Sequence, residues 1–362
     1  MTQFKVVPTI TSLDTWAQFV QAFAVGGRDL LITDRIIYDT YLHGTAVGCV
    51  IIQDDFGAGE PDEDKILAIL QKAAAASYDR VIAVGGGSVM DIGKLLAIRD
   101  FGGDLLPLFR KEITPCKEKK LLILPTTCGT GSEVTNISVS AFPKLNTKIG
   151  LADDALYADD AVLISELIST LPFSVFMHSS IDALIHAIES YLSPKASTLS
   201  RMFSADAIIQ IVEGYRYILQ NGQDSRSALL GTFLTASNNA GIAFSNAGCG
   251  LIHAMSYPIG GTYHLPHGAS NYEVMIAALR FYVARPVDGR FDELLRLTGP
   301  LDQLQNLIES LSPRKPMREY GMTEKEAIAF AKDVEKNQQR LLANCYVKAS
   351  VEDMAQIYRE IL

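Results

Sequence analysis

A chain of 362 residues, 48% of them hydrophobic, is long enough to bury about 75% of its unfolded surface without disulfides or a structural metal. Its 32 Lys and Arg against 41 Asp and Glu leave a net charge of −9, which excludes any general attraction to nucleic acid or to an anionic membrane surface. Five scattered cysteines (Cys49, Cys116, Cys128, Cys249 and Cys345) form no CxxC pair and read as reduced thiols, and the N-terminal residues show no secretory signal pattern, so a cytoplasmic protein is expected.

In the first half, β-rich runs alternate with helical patterns. Strands are expected at Asp29–Thr33, Ala46–Ile52, Arg80–Val84 and Leu121–Leu124, with helical spacing over Pro61–Ser77. Continuous apolar runs suit strands buried on both faces of a parallel sheet. Residues 1–172 therefore read as an α/β, Rossmann-like domain, a parallel sheet with flanking helices. Beyond Leu171-Pro172 the β-branched runs nearly vanish. Helical patterns at Ser174–Leu192, Leu199–Leu219, Arg226–Ala243 and from Phe291 onward make residues 173–362 an all-α domain.

Two glycine turns follow apolar strands. Gly85-Gly86-Gly87-Ser88 leads from Val81–Val84 into a helical pattern, placing free N–H groups and a positive dipole end at one spot, a geometry that receives phosphate. The spacing matches neither GxGxxG nor GxxxxGK[ST], and a tight βα turn with Ser88 and Asp91 as a capping box fits equally well. The second turn, PTTCGTGSE from Pro125 to Glu133, suits either a polar ligand at the carboxyl edge of the sheet or a solvated loop. Asp34 ends the Asp29–Thr33 strand. A carboxylate there can take a ribose 2′-hydroxyl and repels a 2′-phosphate, favouring NAD over NADP, although Asp is also an ordinary turn residue.

From Ser227 to Tyr272 run 46 residues with no Asp, Glu, Lys or Arg, and three of the six histidines lie inside. Asn238, Asn239, Asn246, Gly248, Gly250, His253 and Pro258 interrupt the stretch too often for a membrane span. It reads as a helix followed by a metal-binding, substrate-facing loop. Asp182 and His186, four apart, share one helix face. With His253 and His267 they make a mixed N/O donor set suited to ferrous iron or zinc. Each alone reads more simply as a helix-surface pair or a core histidine; their concentration around a charge-free region favours a metal site.

The segments GGGSVMDIGK, LPTTCGTGSEVTN, DALIHAIESY and the IHA…PIGG…PHG block resemble, in order and spacing, the iron-activated (group III) alcohol dehydrogenases. The resemblance implies a dehydroquinate synthase-like, iron-containing alcohol dehydrogenase fold, with residues 1–172 binding the dinucleotide and 173–362 the metal and substrate. It also implies NAD-dependent oxidation of the CH–OH group of a small molecule, a short hydroxy acid or its semialdehyde. Carried over by motif, Gly86, Gly87 and Ser88 would hold the pyrophosphate, with Asp91 counted among the cofactor residues. Thr126 and Thr127 would flank the cofactor, Asp34 would face the adenosine ribose, and Lys148 in NTKIGL would lie near the nicotinamide ribose. Asp182, His186, His253 and His267 would bind the metal, ferrous iron first and zinc second. Many members carry a His four residues after the third ligand, often assigned to proton relay. Here Tyr257 stands in its place, so Tyr257, His264, the ligand His267 or the cofactor ribose would carry the proton. Arg314, Lys315, Arg318 and Arg340 are candidate partners for a substrate carboxylate, each otherwise a solvated surface charge. The family further implies a homodimer or larger homo-oligomer, without nucleic-acid or membrane partners. Competing readings are a group III enzyme for a neutral primary alcohol or diol, and a metal-dependent hydrolase, which the glycine turns and Asp34 disfavour.

Overall fold

The computed structural model describes residues 3–57, 59, 61–145 and 147–362. The chain separates into two compact units. One comprises Val6–Thr127 and Gly131–Leu171; the other comprises Cys128–Thr130, Pro172–Leu362 and the N-terminal residues up to Lys5.

The strands of the first unit are β1 (Thr9–Leu13), β2 (Asp29–Thr33), β3 (Cys49–Ile52), β4 (Arg80–Gly85), β5 (Lys120–Pro125), β6 (Ile137–Phe142), β7 (Thr147–Ala152) and β8 (Asp160–Ile164). Six of them form a parallel sheet in the order β1-β8-β5-β4-β2-β3. Its middle strands are covered on both sides. Leu30, Ile32, Val81, Ala83, Leu121 and Ile123 pack into one apolar cluster, while Leu31, Ile82, Val84, Leu122 and Leu124 pack into another. That double burial is why these runs are apolar throughout rather than alternating. β3 begins later than the Ala46–Ile52 run suggests. Val47 is held in a turn by the Thr45 carbonyl, and at Gly48 a Cβ would lie 2.2 Å from the Gly27 carbonyl oxygen. β6 and β7 form a separate antiparallel hairpin that the sequence reading leaves unassigned.

Register decides what the sheet presents. Thr33 pairs with Val84 and Gly85 with Pro125, so the residues that follow, Asp34, Gly86 and Thr126, emerge side by side at the carboxyl edge. Strand order reverses between β2 and β4, the switch point at which open α/β sheets receive ligands.

Helix Gly87–Leu96 returns from this edge. Gly93 lets it lie close to the sheet, since a Cβ there would stand 2.5 Å from the Ala83 Cβ. Beside it, Lys94 is fully buried. Its Nζ donates to Ser132 Oγ (2.6 Å), Thr135 Oγ1 (3.2 Å) and the Ile137 carbonyl (2.6 Å), and pairs with Asp91 Oδ1 at 3.4 Å. Asp91 accepts in turn from Ser132 Oγ (2.6 Å) and Val139 N (2.9 Å). Burial lowers the Lys94 pKa, opposed by Asp91. The network fastens the helix after the glycine turn to the 132–139 segment. Lys94→Ala would strand Asp91 and Ser132 around a void and is expected to cost about 3–5 kcal/mol, seen as a lower urea midpoint. An unchanged midpoint would mean that the network adds nothing.

The second unit is helical, with no strand among its described residues. Its long helices begin with Phe173–Leu192, Thr198–Asn221, Leu230–Ala247, Leu251–Tyr263 and His267–Val283. The charge-free stretch is therefore three successive helices, not a helix and a loop. Gly248, at φ +80°, breaks the chain after Ala247, but the Gly- and Pro-containing segment that follows is helical through Pro258. What holds it is a carboxylate some 60 residues earlier: Glu189 accepts from the backbone N–H groups of Gly250 (3.0 Å) and Ile252 (2.6 Å) at the helix N-terminus. No helix among the described residues is long and apolar enough to cross a membrane.

Candidate metal and cofactor sites

In the helical unit, Asp182 and His186 project from one face of Phe173–Leu192, and His253 from Leu251–Tyr263. His267 opens the helix His267–Val283. Gly268 makes the last placement possible: a Cβ there would lie 2.1 Å from the His178 carbonyl oxygen. Asp182 is buried, with His253 Nε2 and His267 Nε2 each 3.7 Å from its Oδ1 and His186 Nδ1 3.9 Å from its Oδ2. Ligand atoms of Asp182, His253 and His267 all lie within 4.8 Å of one another; those of His186, Cys249 and His253 form a second, overlapping group. His186 thus meets the set at Asp182 Oδ2 and, through the second group, at His253.

The donor set fits a divalent metal. Bonds of about 2.0–2.2 Å place donor pairs roughly 3.0–3.4 Å apart, so the two 3.7 Å pairs with Asp182 need to close by only a few tenths of an ångström. His253 Nε2 is buried and makes no hydrogen bond, an arrangement that a metal would satisfy. Its other nitrogen, Nδ1, lies 2.6 Å from Glu189 Oε2. A proton shared there leaves the Nε2 lone pair free. Burial lowers the His186 pKa to about 3, keeping its imidazole neutral and able to ligate; its Nδ1 lies 3.3 Å from the Gly129 carbonyl. Although burial disfavours a charged Asp182, the surrounding histidines outweigh it and hold the carboxyl well below its usual range. Asn271 Nδ2 donates to Asp182 Oδ1 (2.7 Å) and lies 3.2 Å from His267 Nε2.

Three residues here escape sequence reasoning. Glu189, Asn271 and Cys249 are polar groups whose roles depend on which helix they meet. For the first two, spacing offered a signal: Glu189 is three residues after His186 and Asn271 four after His267, each on its ligand's helix face. Cys249 comes four residues before His253, in the short segment between the helices Leu230–Ala247 and Leu251–Tyr263.

Tyr257 is half-buried, its ring centroid 6.1 Å from that of His267. Burial raises its pKa, so the phenol keeps its proton. His264 is exposed and ends its helix in a left-handed conformation, φ +54°. Arg314 is committed to Glu309 Oε1 (3.0 Å) and the Glu273 carbonyl (3.0 Å), Arg318 to the Leu362 carbonyl, and exposed Lys315 to Glu319 at 4.0 Å. Arg340 is exposed.

At the sheet edge of the other unit, Asp34 accepts from Gln53 Nε2 and from the Gly86 backbone N–H; burial is the main influence on its carboxyl, raising the pKa. Thr127 adjoins the same turn, its Cγ2 3.8 Å from the place of a Gly86 Cβ. Gly86, Gly87 and Ser88 are partly exposed at the N-terminus of Gly87–Leu96, Thr126 is buried, and Lys148 lies exposed on β7. The capping box is absent: Gly86 is the N-cap, with no side-chain hydrogen bond. Asp91 instead turns to Ser132, Val139 and Lys94.

This pairing of a glycine-turn α/β unit with a helical unit has known counterparts. Sulfoacetaldehyde reductase of Bifidobacterium kashiwanohense, solved in complex with NAD+, shares the fold at a TM-score of 0.88 and 21% identity, covering 100% of this chain and 98% of that one. Residues 7–165 match the model for iron-containing alcohol dehydrogenase, and residues 176–362 that for the C-terminal part of the Fe-containing alcohol dehydrogenase family. The chain belongs to the iron-containing alcohol dehydrogenase family: it is a metal-dependent oxidoreductase acting on a CH–OH group. It is 42% identical to the 4-hydroxybutyrate dehydrogenase of Clostridium kluyveri, over 100% of both chains. It is 33% identical to long-chain-alcohol dehydrogenase 1 of Geobacillus thermodenitrificans, over 79% of this chain and 75% of the other.

Glu189→Gln is expected to weaken divalent-metal binding about 10- to 100-fold, read by competition with a chromophoric chelator; equal affinities would leave Glu189 a purely structural cap. A second expectation concerns pH. Burial pushes the Glu273 carboxyl up from 4.5 to about 7, against the pull of Arg314 3.9 Å away. Between those values the folded chain holds a proton that the unfolded chain has lost, so this group's contribution to stability falls as pH rises through the window. Glu273→Gln should therefore gain stability over the parent chain at pH 8 and gain little at pH 4.5. An equal difference in urea midpoint at both values would contradict this.

Proposed function

We propose that the chain interconverts 4-hydroxybutyrate and succinate semialdehyde with NAD, in a cytoplasmic homodimer or larger homo-oligomer. Residues 1–172 would serve as the dinucleotide-binding domain and 173–362 as the metal-binding and substrate domain. Full-length identity of 42% to an enzyme named for that substrate carries the reading. The donor chemistry of Asp182, His186, His253 and His267 supports a metal in this role, ferrous iron ahead of zinc because of the family's name.

When bound, the metal supplies a Lewis acid for the alcohol or carbonyl oxygen. NAD supplies the hydride acceptor. The chain's residues bind and orient. Asp182 brings the one formal negative charge of the ligand set; three neutral imidazoles complete it, and Glu189 fixes the ring of His253. Gly86, Gly87 and Ser88 offer N–H groups and a helix dipole to the pyrophosphate, with Thr126, Thr127, Asp91 and Lys148 as further cofactor residues. The Asp34 carboxylate takes the ribose hydroxyls and rejects a 2′-phosphate. As the substrate's C–H hydride leaves, its hydroxyl proton departs by way of Tyr257, His264 or His267, Tyr257 serving as donor and acceptor through a phenol that stays protonated.

A neutral primary alcohol is the second reading, prompted by the long-chain-alcohol relative. Absorbance at 340 nm decides between them. Metal-stripped protein reloaded with Fe2+ or Zn2+ should reduce NAD with 4-hydroxybutyrate, with kcat/KM at least tenfold above that for 1-butanol. His186→Ala should lose bound metal and activity together. A fully active metal-free variant, or equal values for the two substrates, would refute the assignment.

A further inference from the structure

We propose that Arg340, together with Tyr257, receives the distal carboxylate of the substrate; the proposal rests on the reading of that substrate as an ω-hydroxy acid. Tyr257 lies four residues after His253 on one helix, so both project from the same face, and its ring adjoins that of His267. Arg340 lies in the short helix Gln339–Leu342, which packs against Leu251–Tyr263, and its positive charge bears on the Tyr257 phenol. The position is anchored. Asn344, one turn further on, donates from Nδ2 to the Cys249 carbonyl (3.1 Å) and the Arg340 carbonyl (3.3 Å), tying this segment to the chain leading into the His253 helix. Gly248 leaves the space for it, since a Cβ there would lie 2.4 Å from Asn344 Nδ2.

The other cations of the region are engaged. Arg314 and Lys315 face Glu309 and Glu319, and Arg318 faces the Leu362 carbonyl. The Arg340 side chain makes no ion pair or hydrogen bond among the described residues. Its segment packs on the helix that carries Tyr257, which borders the ligand cluster. A planar guanidinium offers two parallel N–H groups to a carboxylate, and the protonated phenol adds a third donor. A neutral alcohol has nothing to place there. Specificity for the acid would thus arise one step beyond the metal ligands, at Arg340, a side chain that chemistry on the hydroxyl end does not need.

The test is the ratio of kcat/KM for 4-hydroxybutyrate to that for 1-butanol, with metal content measured on the same samples. In Arg340→Gln the ratio is expected to fall about 30- to 100-fold, chiefly through KM for the acid, and Arg340→Lys should recover part of it. Arg314→Gln, whose guanidinium is already paired, should keep the ratio within about twofold of the parent chain. An Arg340→Gln ratio equal to that of an acid-preferring parent overturns the role of Arg340 alone, as does an equal fall in Arg314→Gln. A parent chain with no preference for the acid overturns the 4-hydroxybutyrate reading and this proposal with it.

Discussion

The helical unit depends on one buried carboxylate having both of its oxygens answered. Glu189 lies among apolar side chains, where an unsatisfied charge is costly, and it is answered from a single direction: the open N-terminus of Leu251–Tyr263 and the Nδ1 of His253. One group therefore starts a helix, sets its height against Phe173–Leu192 and fixes the ring orientation of a proposed ligand. Asp182, two turns earlier on the same helix, does the equivalent for His267 through Asn271. The charge-free stretch can stay free of charge because its neighbour supplies both anions.

Legibility in the sequence followed the range of the interactions. β2, β4 and β5 declare themselves because burial on both faces requires unbroken apolar runs, and β2 spans the expected Asp29–Thr33. Phe173–Leu192, Thr198–Asn221 and Leu230–Ala247 were readable from their helical spacing. β6 and β7 were not, since alternating small residues such as Ile137, Ser138, Val139 and Ser140 fit a hairpin and a loop alike. Leu251–Tyr263 was read as a loop because Gly250, Pro258, Gly260 and Gly261 are local breakers, while the capping carboxylate that overrides them is distant in sequence.

The candidate sites divide in the same way. Residue types and i,i+4 spacing picked out Asp182, His186, His253 and His267 and could pair the first two on a helix, but only packing shows that His253 links two groups of donors. At the sheet edge, parallel register brings Asp34 and Gly86 together from turns 52 residues apart in numbering. Asp91 illustrates the opposite case. A local capping box was a sound reading of Ser88-Val89-Met90-Asp91, and tertiary structure redirected the carboxylate to Lys94 and Ser132.

Gly268 has the widest reach for the least substance. With the His178 carbonyl 2.1 Å from where its Cβ would stand, the first turn of His267–Val283 can approach Phe173–Leu192 only if position 268 carries a hydrogen atom. Among homologous sequences, a side chain at this position would thus mark a lineage whose two helices have moved apart, whether or not all four Asp and His positions were retained. The identity of a residue with no functional groups would then be the more discriminating sign of an intact metal pocket.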